Sequence, residues 1–284
     1  VNAMAEKYGA VPYTDMHEML KRDDVHAVSL CVPSGMRLEM AEACAAAGKH
    51  IIAEKPLEVN CERIDRLIAA VDKAGVRLAS IFQYRYADGP MHLRRALDEG
   101  RFGKLVLGDA YIKWYRSQEY YDSGKWRGTR KLDGGGALMN QGIHQIDMLL
   151  WFMGNAKSVT AQTALVGHTG IEVEDLAVAM IQFENGAMGV IEGSTAIWPG
   201  HPARVEVHGT NGSAVIEDGE LAMWKFQEER AEDESILKSF DKGETLGSGA
   251  SDPIKSLKSE GHRRQLADFV ESLLANRPAK IDGR

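Results

Sequence analysis

The sequence predicts an α/β chain in two parts. Residues 1–84 read as an incomplete, doubly wound parallel sheet, and residues 85–284 as an α+β part built on a large, mostly antiparallel open sheet. Three observations predict this. The runs "AVSLCVP" (27–33), "HIIAEKP" (50–56) and "VRLASIFQ" (76–83) are short and rich in β-branched or other apolar residues, and segments of helical periodicity separate them. From about residue 104 the rhythm changes to long strand-like runs divided by turn signals. The length, 284 residues, exceeds the ~100–150 typical of one domain.

Taken in order, "NAMAEKYG" reads as a helix with Gly9 as its stop. Nothing ahead of it supplies a first strand or a glycine-rich turn, and no GxGxxG occurs anywhere, so a missing front end is expected. Segment 34–50 starts at Ser34 as N-cap and stops at Gly48; segment 59–76 is capped by Asn60, buries Ile64, Leu67, Ile68 and Val71, and stops at Gly75. Strands joined by helices in this way form a parallel sheet covered on both faces. In the second part, helices are expected near 87–99 and from the glycines at 134–136 to about Met153, with strands within 104–115, 156–167, 173–184, 185–198, 203–210 and 213–219. Asn185-Gly186 and Asn211-Gly212 are dipeptides suited to type I′ hairpin turns, whose two central residues both need positive φ. Segment 227–253 reads as a charged surface excursion before a last helix at 261–275, and the end at Arg284 reads as clipped.

Composition excludes several classes. With 34 basic and 41 acidic side chains the net charge is −7, and no window interleaves Lys and Arg with aromatics, so nucleic acid is not an expected partner. No apolar run approaches the roughly 18–20 residues of a membrane span. Cys31, Cys44 and Cys61 form no CxxC pair and stand beside no histidine cluster, which points away from structural zinc and toward a reducing cytoplasm.

The stretch "GGGALMNQGIHQID" (134–147) carries the chemistry. Residues 140, 144 and 147 are spaced by four and three, so one helix would set Asn140, His144 and Asp147 on a common face. Glycines lack Cβ, so Gly134–Gly136 would let backbone approach a ligand closely, and the helix start offers free N–H groups to its oxygens.

Read together, "AEKPL" (53–57) and "DGGGALMNQGIHQIDMLLWFMG" (133–154) closely resemble the glucose-fructose oxidoreductase/inositol dehydrogenase/rhizopine catabolism family, Gfo/Idh/MocA, over nearly the whole chain. The resemblance implies a Rossmann domain binding NAD or NADP, then a domain that binds a carbohydrate-like substrate and packs against another subunit as a homo-dimer or tetramer. It implies oxidation or reduction of one secondary alcohol/ketone carbon of a sugar, amino sugar, sugar acid or cyclitol. Such a reaction moves a hydride to or from nicotinamide and needs a base for the hydroxyl proton and a polarising group at the oxygen. His144 and Lys55 fit those roles. Pro56 keeps the preceding residue extended, which would aim Lys55 into the crevice at the strand's end.

By the same resemblance Pro33, Ser34, Glu54, Lys55, Pro56, Gln83, Trp126 and Arg127 lie on the cofactor side, while Asn140, Arg85, Tyr115 and Trp126 meet the substrate. Asn140 stands where the family often has Asp; an amide cannot ionise, so it reads as a partner for a substrate hydroxyl. Asp147 is expected to orient His144 or to bond nearby backbone. Arg37 stands where many members have His and receives no role. Bland readings stay open: Lys55 as a solvated strand end, Trp126 as core, "WYRSQEYYD" (114–122) as an interface loop instead of a sugar-stacking surface. Two rival functions also stay open. One is a non-catalytic sugar- or nucleotide-binding regulatory protein of the same fold; the other is a reductase of a linear tetrapyrrole or dihydrodiol.

Overall fold

The computed structural model describes residues 2–240 and 259–283. Two compact units emerge, Val1–Ile81 with Asp268–Arg284, and Phe82–Ala267.

In the first unit, helices α1 (Asn2–Tyr8) and α2 (Met16–Leu20) precede a three-stranded parallel sheet of order β1-β2-β3. Its strands are β1 (Ala27–Leu30), β2 (His50–Ala53) and β3 (Leu78–Ser80), with α3 (Arg37–Ala46) and α4 (Cys61–Ala74) between them. The alternation of side chains along β2 shows how the sheet is covered. Ile51 joins Leu38, Cys44, Leu67 and Val71 on one side, while Ile52 joins Ala79, Ile81, Phe269 and Ala279 on the other. Each fully buried aliphatic chain of this kind contributes about 1.5–3 kcal/mol. The second cover comes from the far end of the sequence, which the strand-and-helix rhythm of residues 1–84 did not contain.

The caps divide. Asn60 accepts the Arg63 N–H at 2.9 Å, and Gly75 ends α4 at φ +67°, both as the pattern predicts. Ser34 is not the N-cap of α3: it is buried in a 3-10 turn, Ser34–Met36, and α3 begins only at Arg37, after Met36, which gives the helix no cap bond of its own. The reason is tertiary. The buried Glu58 carboxylate, from the loop after β2, accepts the Leu38 N–H at 3.1 Å and so caps the helix from outside its own sequence.

The second unit holds α5 (Asp88–Asp98), β4 (Leu105–Lys113), α6 (Gln118–Asp122), α7 (Ile143–Met153), β5 (Ala156–Ala164), β6 (Leu176–Phe183), β7 (Met188–Ser194), β8 (Arg204–Gly209), β9 (Gly212–Glu217), β10 (Glu220–Phe226) and α8 (Asp233–Ser239). The seven strands run in the order β10-β9-β8-β4-β7-β6-β5, antiparallel except for the parallel pair β4–β7. One face is packed: Ile112, Phe183 and Val207, with Phe102 from the turn before β4, meet Leu93 of α5 and Leu149 and Met153 of α7. The opposite face leaves Leu107, Val178, Met180 and Met188 exposed at 37–51%. The last helix, α9 (Ser259–Leu274), crosses the division between the units at Asp268.

Hairpin chemistry differs from the expectation. Asn185 has no positive φ; its side chain accepts the Ala187 N–H at 2.9 Å and donates to the Met153 carbonyl at 2.8 Å, so a local Asx bond replaces the type I′ turn. Neither Asn211 nor Gly212 has positive φ. The dipeptide that does is Asp218-Gly219, at +46° and +85°, which joins β9 to β10 with Glu217 opposite Glu220. Its strand β10 and the short helices α6 and α8 lie where the pattern showed only strand end, loop and excursion. From residue 241 the expected excursion lies outside the described residues.

Candidate active site

The first unit supplies a level edge. Leu30, Ala53 and Ser80 pair across the sheet, so β1, β2 and β3 end together at their carboxyl termini, where open α/β sheets hold ligands. Pro33 leads the chain away from that edge into the turn that buries Ser34. Arg37, 4% exposed, reaches back and donates to the Val32 carbonyl at 2.8 Å and to the Pro56 carbonyl. One guanidinium thus ties the loop after β1 to the loop carrying Lys55. Glu54 donates its N–H to the Leu30 carbonyl at 3.1 Å and accepts the Lys55 N–H at 3.2 Å. The Lys55–Pro56 peptide is cis. Beyond it the Glu58 carboxylate accepts from Val59 N–H at 2.6 Å and from Arg63 at 2.9 Å, anchoring the loop.

The second unit centres on His144, 8% exposed in the first turn of α7. Its ring meets Phe82 edge-on at 6.0 Å and Tyr84 at 5.1 Å. Burial pushes the Tyr84 phenol up to about 12, with Asp218 adding to the effect. Gln83 opens the 3-10 turn Gln83–Tyr86, and its side-chain oxygen is buried with no partner among the described residues. Arg85 grips Asp147 through two bonds of 2.8 and 2.6 Å and lies over Trp151 at 5.4 Å. Burial raises the Asp147 carboxyl above its usual range, and Arg85 opposes it.

A second network surrounds Asn140. Its amide donates to Asp133, and its oxygen accepts from Gln141 at 2.8 Å. Gln141 also donates to the Tyr120 hydroxyl at 3.0 Å and accepts from Arg116 at 3.2 and 3.0 Å. Arg127 donates to that same hydroxyl at 2.8 Å, its guanidinium 4.3 Å from the Tyr120 ring and 4.5 Å from the Trp126 ring. The Tyr115 carbonyl accepts from Arg116 at 2.9 Å, while its backbone bridges to Ala196 and its ring meets Trp198 edge-on at 5.1 Å. The unit therefore presents a buried imidazole and a held amide, next to aromatic faces with a guanidinium: means for proton transfer, hydroxyl bonding and ring contact.

Three expectations are corrected. Asn140 does not share a helix with His144: it sits in a π-helical turn, Ala137–Gln141, where Gly142 N–H bonds the Ala137 carbonyl five residues back at 2.8 Å. The extra residue breaks the four-residue spacing, and only His144 and Asp147 keep their shared helix. Asp147 bonds Arg85, not His144. Gly136 serves the protein's own backbone, because Glu174 takes the three N–H groups that open the turn. Its backbone carbonyl accepts from Ala137 at 2.9 Å, and its carboxylate accepts from Gly136 and Leu138 at 3.1 Å each. A Cβ on Gly136 would stand 1.7 Å from the Glu174 carbonyl oxygen, so no side chain fits there.

Sequence reasoning missed Arg37, Arg116, Asp133, Gln141 and Glu174. Gln141 had a faint signal, as an amide beside Asn140; the others are placed by contacts 7 to 38 residues away in sequence. No group of three or more His, Cys, Asp or Glu suited to a metal occurs among the described residues.

A Rossmann-type parallel sheet, followed in the chain by an open, mostly antiparallel sheet carrying a buried imidazole, defines a nucleotide-binding oxidoreductase class. The family description "Oxidoreductase family, NAD-binding Rossmann fold" matches residues 1–82, and "GFO/IDH/MocA C-terminal domain" matches residues 91–215. The chain is 32% identical over 220 residues to myo-inositol 2-dehydrogenase of Thermotoga maritima, covering 74% of this chain and 62% of that protein. It is 28% identical over 227 residues to levoglucosan dehydrogenase of Pseudarthrobacter phenanthrenivorans, covering 72% and 58%. Among solved structures, the WlbA dehydrogenase from Bordetella pertussis, in complex with NADH and UDP-GlcNAcA, superposes with a TM-score of 0.88 at 30% identity, covering 100% of this chain and 79% of that one. The chain belongs to the Gfo/Idh/MocA oxidoreductase family. It spans about three fifths of the length of the curated relatives it matches.

Proposed function

We propose that the chain is part of an NAD-dependent dehydrogenase, NADP being the alternative cofactor, acting on one secondary alcohol/ketone carbon of a sugar, amino sugar, sugar acid or cyclitol. The observation that carries this reading is His144, a buried imidazole in the first turn of the glycine-led helix, walled by Phe82 and Tyr84. The level edge of the parallel sheet, with Ser34 buried in its turn and Arg37 bracing both loops, fits the nicotinamide end of a dinucleotide. Pro33, Ser34, Glu54, Lys55, Pro56, Gln83, Trp126 and Arg127 are the residues we assign to holding it. When bound, the nicotinamide supplies the hydride acceptor or donor.

In this reading His144 takes the hydroxyl proton, and the Lys55 ammonium polarises the reacting oxygen. Asn140, its amide already turned by Asp133 and Gln141, bonds a neighbouring hydroxyl. Arg85, Tyr115 and Trp126 complete the substrate contacts, and Asp147 holds Arg85 in place. The relatives' names and the WlbA ligands favour a carbohydrate-like substrate and NAD. The exposed apolar residues on the open sheet face support a homo-oligomer, dimer or tetramer, with a second copy on that face. Three free cysteines support the cytoplasm; burial pushes the Cys44 thiol up to about 11. No helix among the described residues is long and apolar enough to cross a membrane.

The test mixes the full-length protein with NAD or NADP and a panel of polyols, sugars and sugar acids, and follows nicotinamide absorbance. Turnover that falls by about 10²–10⁴ in Lys55→Ala and in His144→Ala is expected. Normal turnover in the double variant refutes the assignment. No turnover on any substrate, with sugar binding intact, points instead to a sugar-responsive regulator.

A further inference from the structure

We infer that Glu174 is a positioning residue for His144 and Asn140: its carboxylate occupies, as a built-in anion, the N–H groups that open the π-helical turn. The start of a helix offers unsatisfied N–H donors that attract an anionic ligand. Here the sites are already filled from within the chain. Gly136 and Leu138 each donate to one oxygen of the same carboxylate at 3.1 Å, and Ala137 donates to the Glu174 backbone carbonyl at 2.9 Å. Three consecutive donors are therefore fixed by one residue, and Gly136 permits the approach because it has no Cβ.

Glu174 is itself held still by its neighbour. The fully buried Asp175 carboxylate accepts from Val166, Gly167 and His168 N–H groups at 2.8, 2.8 and 2.9 Å, and from the His168 ring at 2.9 Å. Its backbone N–H bonds Ala164, and its carbonyl accepts from Thr195 N–H and the Ser194 hydroxyl at 2.9 and 2.8 Å. Burial works to raise the Asp175 carboxyl, yet these donors outweigh it and hold the group below its usual range. The locked Asp175 sets where Glu174 stands, and Glu174 sets the pitch of the turn. Gly142 ends that turn and starts α7, so the register of His144 follows.

The function of Glu174 rests on the dehydrogenase reading, but its occupancy of the N–H groups does not, and the experiment separates the two. In full-length protein, Glu174→Ala leaves two donors facing a hole of carboxylate size. The expected kcat is 10- to 100-fold lower with substrate and cofactor KM within about 3-fold, and added formate recovers at least 5-fold of it while leaving the unaltered protein and His144→Ala unmoved. Amide NMR supplies the arm that needs no turnover: the Gly136 and Leu138 N–H signals of Glu174→Ala shift on formate titration, and those of the unaltered protein stay still. Unshifted amides overturn the occupancy claim. Shifted amides with a normal kcat, or with a lowered kcat that formate does not restore, overturn the positioning claim. If the unaltered protein turns over nothing, the amide titration still decides occupancy, and the dehydrogenase reading is the part that has failed.

Discussion

Replacing Arg85 by alanine tests the electrostatics of the α7 face. Arg85 gives Asp147 two charge-assisted bonds of 2.8 and 2.6 Å, and the two side chains are 25% and 10% exposed. Burial already raises the Asp147 carboxyl, with Arg85 as the opposing influence. Arg85→Ala strands a desolvated carboxylate, a change that costs about 3–5 kcal/mol at neutral pH. At roughly 2–4 °C per kcal/mol the melting temperature should fall by about 6–20 °C. The sign with pH follows from proton binding. Once its native pKa is raised further, the folded state binds more protons than the unfolded state between the unfolded value, about 4, and the native one. Stability of the variant therefore falls as pH rises through that window, and its deficit is largest at pH 7 and shrinks toward pH 4. The double variant Arg85→Met/Asp147→Leu removes both charges and should recover most of the loss. Urea unfolding at pH 7 and pH 4, followed by tryptophan fluorescence with Trp151 beneath Arg85, reads all three proteins. A deficit independent of pH, or a double variant no better than Arg85→Ala, refutes the reasoning.

Two further outcomes follow from the same structure. Gly136→Ala places a methyl 1.7 Å from the Glu174 carbonyl, so the turn must open; a loss of about 2 kcal/mol or more is expected by urea unfolding, and a change under about 0.5 kcal/mol would show that the close approach is absent. The Asp233 carboxylate accepts from Arg101 at 2.8 and 2.7 Å, from the Trp224 indole at 2.8 Å and from Arg230 N–H at 2.7 Å, and Arg101 first among these holds it far below the usual carboxylate range. Because the native pKa is depressed, this stabilisation is full above about pH 4 and is lost as pH falls through the native value. Asp233→Asn should cost about 2–3 kcal/mol at pH 7 by chemical denaturation, with a smaller difference at pH 2; equal differences at both would count against the ion pair.

Three short apolar runs alternating with helical periodicity in the first unit, and long strand-like runs in the second, were enough to determine the chain's fold class, because burial on one or both faces writes itself directly into local sequence. Asn60 and Gly75 were legible for the same reason, since each cap bonds within four residues of itself. His144 and Lys55 stood out through their motifs. What only the tertiary structure decided are contacts with no local signature. Glu58 caps α3 from the next loop, Phe269 covers a sheet built some 200 residues earlier, and Glu174 fills N–H donors that the sequence pattern assigned to a ligand. The π-helical turn that parts Asn140 from His144 belongs with them: five-residue hydrogen bonding leaves no periodic trace in a five-residue segment, and it persists because Glu174 and Asp133 hold it from outside.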